Sequence, residues 1–315
     1  MKPYFSIVIP LYNKEDDITK TIASVVSQTC SDFEIIIIND GSTDNSLQKI
    51  EAIKDRRMQV FTTENNGVSH ARNYGIKQSS SERIAFLDAD DMWEPHHLED
   101  LKLLCETFPN CGMYCKAYQK QKGDIKLPSV FNAIPTSENW KGIVDDYFAS
   151  SAVNAIAWTS AVMVPKNILQ DLGGFDESIT LGAGEDTDLW IRIALNYDIA
   201  FHNKVSAIHN LNAGNRITNS NTNDRQFLNL DKFDTSAKTN ASLQKYLDLN
   251  RFSIGLQYKL VGNTTKAKSY INKINKENLN LKQRILIRLN PSVLKHLISL
   301  QSFFNKKGIY LSAFR

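Results

Sequence analysis

The chain alternates between short, almost wholly apolar runs and longer stretches whose apolar residues recur every three or four positions. Phe5 to Leu11 (FSIVIPL), Glu34 to Ile38, Met58 to Thr62 and Arg83 to Leu87 are of the first kind. Runs this short and rich in β-branched residues predict strands buried on both faces. Between them, Ile18, Ile22, Val25 and Val26 predict an amphipathic helix over 15–28; Leu47, Ile50 and Ile53 predict a second helix, and Val68 to Lys77 a third. Strand, helix, strand, helix implies βαβ units and a largely parallel sheet that binds ligands at the carboxyl ends of its strands.

Farther on, 111–119 reads as another strand, 122–140 as a variable loop, and Ala152 to Val164 as a strand, with Pro165 in the first turn of a short helix. GGFDE (173–177) is a turn. Leu189, Trp190, Ile193 and Ala194 give a helix with Glu185 and Asp186 at its start, and Val205, Ala207 and Ile208 form a last short strand that delivers His209. Asn210 to Arg225 reads as an exposed polar loop. The boundary there divides a catalytic domain, 1–225, from a basic helical region, 226–315. In the latter an αα-hairpin turns at Gly262–Asn263–Thr264.

Charge sharpens this division. Residues 1–225 hold 21 Lys plus Arg against 30 Asp plus Glu, a balance of −9, while 226–315 hold 16 against 4, a balance of +12. No acid follows Glu277, and Val293, Leu294, Leu297, Ile298, Leu300, Phe303 and Phe304 make an apolar stripe beside Lys282, Arg284, Arg288, Lys295, Lys306 and Lys307. Such a helix either lies on an anionic membrane surface or packs on its own catalytic domain. Four cysteines without CxxC spacing argue against zinc and for reduced thiols in a cytoplasmic protein. The apolar opening run is too short for a signal peptide or a membrane span.

The chemistry concentrates in RIAFLDADD (83–91), where a strand runs into Asp88, Asp90 and Asp91. Two readings stand. If the chain stays extended, Asp88 and Asp90 share a face and suit a hard divalent cation; otherwise the cluster caps the helix that begins near Pro95. The absence of GxGxxG and GxxxxGK[ST] loops counts against a dinucleotide enzyme and a P-loop NTPase.

SIVIPLYN (6–13), IIINDGSTDNS (36–46), NNGVSHARNYGI (65–76), LDADD (87–91), GGFDE (173–177) and GEDTDLWIRIA (184–194), in this order, resemble the family 2 glycosyltransferases of the GT-A fold. The resemblance implies an inverting, hexosyltransferase-type enzyme of cell-envelope polysaccharide synthesis, such as capsule or lipopolysaccharide, that uses Mn2+ or Mg2+ and a nucleotide-sugar donor of the UDP-sugar type. It implies Tyr12 and Asp40 as the base-recognition pair, Arg72 facing the diphosphate, and Asp88 on the ribose, with Ala89 in the same donor-binding stretch. Asp90 and His209 are the implied metal ligands and Asp186 the catalytic base. The acceptor is a glycan or a lipid-linked oligosaccharide at the inner membrane face, with no nucleic acid expected. Trp93 and Trp190 form a sugar platform or belong to the core. The rival readings are a sugar nucleotidyltransferase and a non-catalytic nucleotide- or nucleic-acid-binding module.

Overall fold

The computed structural model describes residues 2–137, 139–216, 220–306 and 313, with side chains among the helical residues as far as 301. Two compact units emerge. The first comprises Met1–Tyr147, Ala155–Ser220 and Arg225–Leu228; the second comprises Phe148–Asn154, Asn221–Asp224 and Asn229–Arg315.

The first unit opens with β1 (Phe5–Leu11), α1 (Ile18–Val26), β2 (Phe33–Asp40), α2 (Ser46–Glu51), β3 (Met58–Thr63), α3 (Val68–Gln78), β4 (Arg83–Phe86), the two-residue β5 (Met92–Trp93) and α4 (His97–Thr107). It continues with β6 (Met113–Lys122), β7 (Ile125–Pro128) and β8 (Lys141–Ile143). After α5 (Tyr147–Ser150), at the edge of the two units, come β9 (Val162–Pro165), α6 (Lys166–Asp171), α7 (Glu185–Ala194) and β10 (Ile199–Asn210). One sheet runs in the order β3-β2-β1-β4-β9-β6-β10-β5, with β7 against β6 and β8 against β10. Its long ladders, β1–β2, β2–β3 and β6–β10, are parallel; short antiparallel ladders at β9, β5, β7 and β8 complete it.

Continuous apolar runs form β1, β2 and β4 because both their faces are covered, whereas β3, at the sheet edge, is only part-buried. All eight residues of β2 are buried. Helix α1 turns Ile18, Ile22 and Val25 into the core, and α3 presses Ala71 and Gly75 toward β1 and β2. A Cβ at Gly75 would stand 2.4 Å from Val8 Cγ1, so only glycine allows this approach of helix to strand.

Four expectations change. Of Ala152 to Val164 only Val162–Pro165 is a strand, and a 3-10 turn at Thr159–Ala161 precedes it. Pro165 ends that strand and stands just ahead of α6 rather than inside its first turn. The 122–140 stretch holds β7, hairpinned back on β6 through Lys122 and Ile125. The last strand is also longer than Val205 to Ile208, since β10 spans twelve residues with bulges between His202 and Ala207.

The second unit contains α8 (Asp234–Ala237), α9 (Ala241–Leu260), α10 (Thr264–Ile271), α11 (Leu281–Leu286) and α12 (Pro291–Lys306). The expected αα-hairpin is α9–α10, and its second helix starts where the Asn263 side chain accepts from Lys266 N. Asn240 caps α9 in the same way, and Asn280 with Gln283 forms a capping box on α11. Leu249, Phe252, Ile274, Leu279 and Ile287 form its core, and the buried Arg251 pairs with Asp231 at 3.0 Å and Asp234 at 2.6 Å. Leu294 is buried, whereas Val293, Leu297, Ile298 and Leu300 of α12 are exposed. The Phe303, Phe304 and Lys306 side chains and Lys307 lie outside the described residues. Among the described residues no helix is long and apolar enough to cross a membrane.

Candidate active site

The acidic stretch leaves β4 as a tight turn, not as an extended strand. Asp91 N donates to Asp88 O at 3.0 Å, so Asp88 and Asp90 point to different partners. Ser160, in the 3-10 turn before β9, holds the turn together: its Oγ accepts from Asp88 N at 3.1 Å and donates to Asp91 Oδ2 at 2.6 Å. The other Asp91 oxygen accepts from Asn210 N at 3.1 Å, at the end of β10. Burial, followed by the charges of Asp90 and Asp88, pushes the Asp91 carboxyl well above the usual range. Asp91 caps no helix, because α4 begins six residues later behind His96. It ties the acidic turn to two other segments.

The other two carboxylates face cations. Asp90 Oδ2 accepts from Lys14 Nζ at 2.6 Å, with both side chains largely buried. Burial raises the Asp90 carboxyl, Lys14 opposes this, and Asp88 adds to it. Asp88 Oδ1 accepts from Arg72 Nη2 at 2.8 Å, and Arg72 Nη1 donates to Glu185 Oε1 at 3.0 Å. The guanidinium of Arg72 is buried and lies over the Phe175 ring at 5.1 Å. Burial alone would lower its pKa, but Asp88 and Glu185 outweigh that and raise it.

Glu185 and Asp186 open α7 behind Gly184, whose φ of 100° suits glycine; a Cβ there would also sit 2.5 Å from Leu228 Cδ2. Burial and then Asp186 raise the Glu185 carboxyl, with Arg72 opposing. Asp186 is half-buried. Its Oδ2 accepts from Thr159 Oγ1 at 3.3 Å, and its Oδ1 from Thr187 N at 2.6 Å. Thr159 thus contacts one acidic cluster and Ser160 the other. The structure brings Arg72, Asp88, Asp90 and Asp186 into one connected network, in which Lys14, Thr159 and Ser160 had no predicted place and Glu185 was expected only at the helix start. The only sequence sign of the turn is a polar Thr-Ser pair interrupting an apolar run.

The remaining predicted residues fall around this network. Tyr12 is 39% exposed at the end of β1. Asp40 is buried, and its oxygens accept from Asn66 N at 3.0 Å and Gly67 N at 2.9 Å, anchoring the start of α3. The Ala89 side chain is in the core, and its carbonyl accepts from Thr21 Oγ1 at 3.0 Å. His209 stacks on Trp158 with ring centroids 5.0 Å apart, and its Nε2 lies 2.9 Å from Arg216 Nη2. Burial, then Arg216 and Lys120, lower its pKa to about 4, so the neutral ring accepts from Arg216. Trp93 and Trp190 both belong to the core. Trp93 stacks on His97 and donates to Ser160 O, while Trp190 packs on Phe86 and Phe175. Among the described residues no three His, Cys, Asp or Glu side chains form a ready metal cage.

Residues 6–150 match the model of glycosyl transferase family 2. An uncharacterized glycosyltransferase of Rickettsia bellii is 34% identical over 194 residues, covering 60% of this chain and 26% of that protein. The chain therefore spans about a quarter of that relative's length. The UDP-Glc:alpha-D-GlcNAc-diphosphoundecaprenol beta-1,3-glucosyltransferase WfgD of Escherichia coli is 40% identical over 95 residues, covering 30% of this chain and 38% of that one. Among solved structures, S. aureus TarS in complex with UDP-GlcNAc superposes with a TM-score of 0.57 at 18% identity, covering 90% of this chain and 78% of that chain. That likeness establishes a shared fold. Residues 6–150 thus match glycosyl transferase family 2, and the N-terminal unit shares the GT-A fold.

Proposed function

We propose that the chain is an inverting, metal-dependent glycosyltransferase that moves a sugar from a UDP-sugar to a hydroxyl of a glycan or lipid-linked acceptor in cell-envelope polysaccharide synthesis. One observation carries this reading: Asp186, which hydrogen-bonds to Thr159 and Thr187 and makes no ion pair among the described residues, is linked through consecutive residues of one turn to a cluster in which Asp88 and Asp90 are paired with cations. A general base needs an available lone pair close to the reacting hydroxyl. Asp186 accepts the acceptor's proton as the hydroxyl oxygen attacks the anomeric carbon, from the face opposite the leaving nucleotide.

Tyr12 offers an exposed aromatic face to the base, and Asp40 retains acceptor capacity for a ring N–H beyond the two amides it holds. Asp88 is the ribose contact, held in place by Arg72. Arg72 adds positive charge toward the diphosphate while its two ion pairs fix Asp88 and Glu185. The hard oxygens of Asp90 suit Mn2+ or Mg2+, and burial of the Asp90 charge favours a cationic partner. Such a cation, when bound, would supply Lewis-acid charge to the leaving diphosphate. His209 could join only by giving up its bond from Arg216.

The TarS complex contains UDP-GlcNAc and WfgD is named for UDP-Glc, which supports a UDP-sugar donor here. WfgD's diphosphoundecaprenol acceptor likewise supports a lipid-linked substrate. The exposed apolar residues of α12, in a segment with no acid after Glu277, suit an anionic membrane surface where such an acceptor resides. Neither rival reading gains support from the site, and the family match points away from both.

A panel of UDP-sugars incubated with Mn2+ tests the reading. Release of UDP from at least one donor, lost in Asp90→Asn, is expected; failure to bind UDP or to turn over any UDP-sugar would overturn it. Flotation with phosphatidylglycerol vesicles tests the membrane component, and unchanged flotation in Leu297→Ser/Ile298→Ser would remove it.

A further inference from the structure

Lys14 has no role in the reading above, although its environment is built for a cation. Its ammonium donates to Asp90 Oδ2 at 2.6 Å, Gly214 O at 3.0 Å and Asn215 O at 3.1 Å. A carboxylate oxygen and two consecutive carbonyl oxygens thus converge on one positive charge, using all three of its donors. The stem is fixed as well. Lys14 N donates to Ser46 Oγ at 2.8 Å, and the Asn13 Oδ1 just before it accepts from Thr43 N at 2.7 Å. The carbonyls come from the segment that leaves β10 at Asn210, and Asn215 Nδ2 also donates to Asn13 O at 3.4 Å.

We propose that Lys14 is a resident counter-ion occupying the cation position at Asp90, and that it staples the Gly214–Asn215 segment over the acidic turn until a divalent cation displaces it. The inference rests on the metal-dependent reading of the same site. The Asp90 carboxylate oxygen is a hard ligand of the kind Mg2+ or Mn2+ also seeks, and a dication and an ammonium cannot share Asp90 Oδ2 at 2.6 Å. Displacement removes the donor that Gly214 and Asn215 share, so cation binding and the freedom of this segment are coupled.

The test uses the full chain and two readouts independent of turnover: Mn2+ titration by calorimetry and hydrogen exchange of the 211–216 amides. Lys14→Met should bind Mn2+ on the order of tenfold more tightly than the parent chain, within the range usual for coupled sites, and should exchange faster at 211–216 even without metal. Lys14→Arg, which retains the charge, should keep the parent's weak binding and slow exchange, and Lys14→Met/Asp90→Asn should lose the gain. In the parent chain, Mn2+ should accelerate exchange at 211–216. Equal or weaker Mn2+ binding in Lys14→Met overturns the proposal while leaving the metal reading in place. Absence of Mn2+ binding from both the parent chain and Lys14→Met overturns both.

Discussion

The two acidic clusters of the first unit, Asp88–Asp91 and Glu185–Asp188, have similar composition and opposite treatment. In the first, every carboxylate is committed: Asp88 to Arg72, Asp90 to Lys14, and Asp91 to Ser160 and a backbone amide. In the second, the outer members are paired, Glu185 with Arg72 and Asp188 with Arg192 at 2.8 Å, while Asp186 between them hydrogen-bonds only to threonines among the described residues. A carboxylate that must take a proton is poorly served by a cation, which stabilises its charged form; one that must hold charge in place requires such a partner. Paired neighbours on either side leave Asp186 distinct without leaving the helix start unstable.

The comparison breaks first at Asp186. Asp186→Asn should lower transfer by about 10²–10⁴-fold, the usual worth of a general base, with UDP binding and melting temperature near those of the parent. Loss of folding instead would make Asp186 a structural start to α7. Next is Arg72, which serves both clusters. Arg72→Met leaves the buried Glu185 and the part-exposed Asp88 without their cation and should cost about 3 kcal/mol in urea denaturation. Adding Glu185→Gln should restore part of that loss, and no recovery would mean that the shared pair is not what holds the clusters together.

Ser160→Ala removes one partner each from Asp88 N and Asp91, and about 1–3 kcal/mol should be lost by the same measurement. A loss confined to activity would contradict a holding role. The smallest effect concerns pH. The pKa of His209 lies near 4, below the ordinary 6.5, so the stability it contributes is present above 6.5 and is lost as pH falls toward 4. Melting temperature between pH 7 and 4.5 should fall less steeply in His209→Gln than in the parent, and parallel curves would show that His209 does not titrate in this window. Asp91 has the opposite sign: its raised carboxyl is relieved as pH falls, so it cannot account for a loss toward acid.

Much of the first half was legible because β1, β2 and β4 are covered on both faces, so burial is written locally as unbroken apolar runs. The acids of the site were legible for a related reason: each stands at the end of a strand or the start of a helix. Their partners were not. Lys14 meets Asp90 across 76 positions, and the Gly214 and Asn215 carbonyls across 200 and 201. Arg72 meets Glu185 across 113. No local period encodes such pairings. The stretch before β9 misled for another reason: Ile156, Ala157 and Ala161 are buried like strand residues, but Thr159 and Ser160 are polar because they serve carboxylates.

That turn also limits how the chain could lengthen over time. A Cβ at Gly123, in the turn between β6 and β7, would meet nothing within 4 Å, so this turn has room around it. An extra residue between Thr159 and Ser160 would put the two hydroxyls out of step, so that only one acidic cluster kept its tether. Natural variants of this chain should therefore differ in length around 123 and keep a fixed count between Trp158 and β9, so that a single adjacent pair of small hydroxyl residues sets the spacing between proton acceptor and acidic turn.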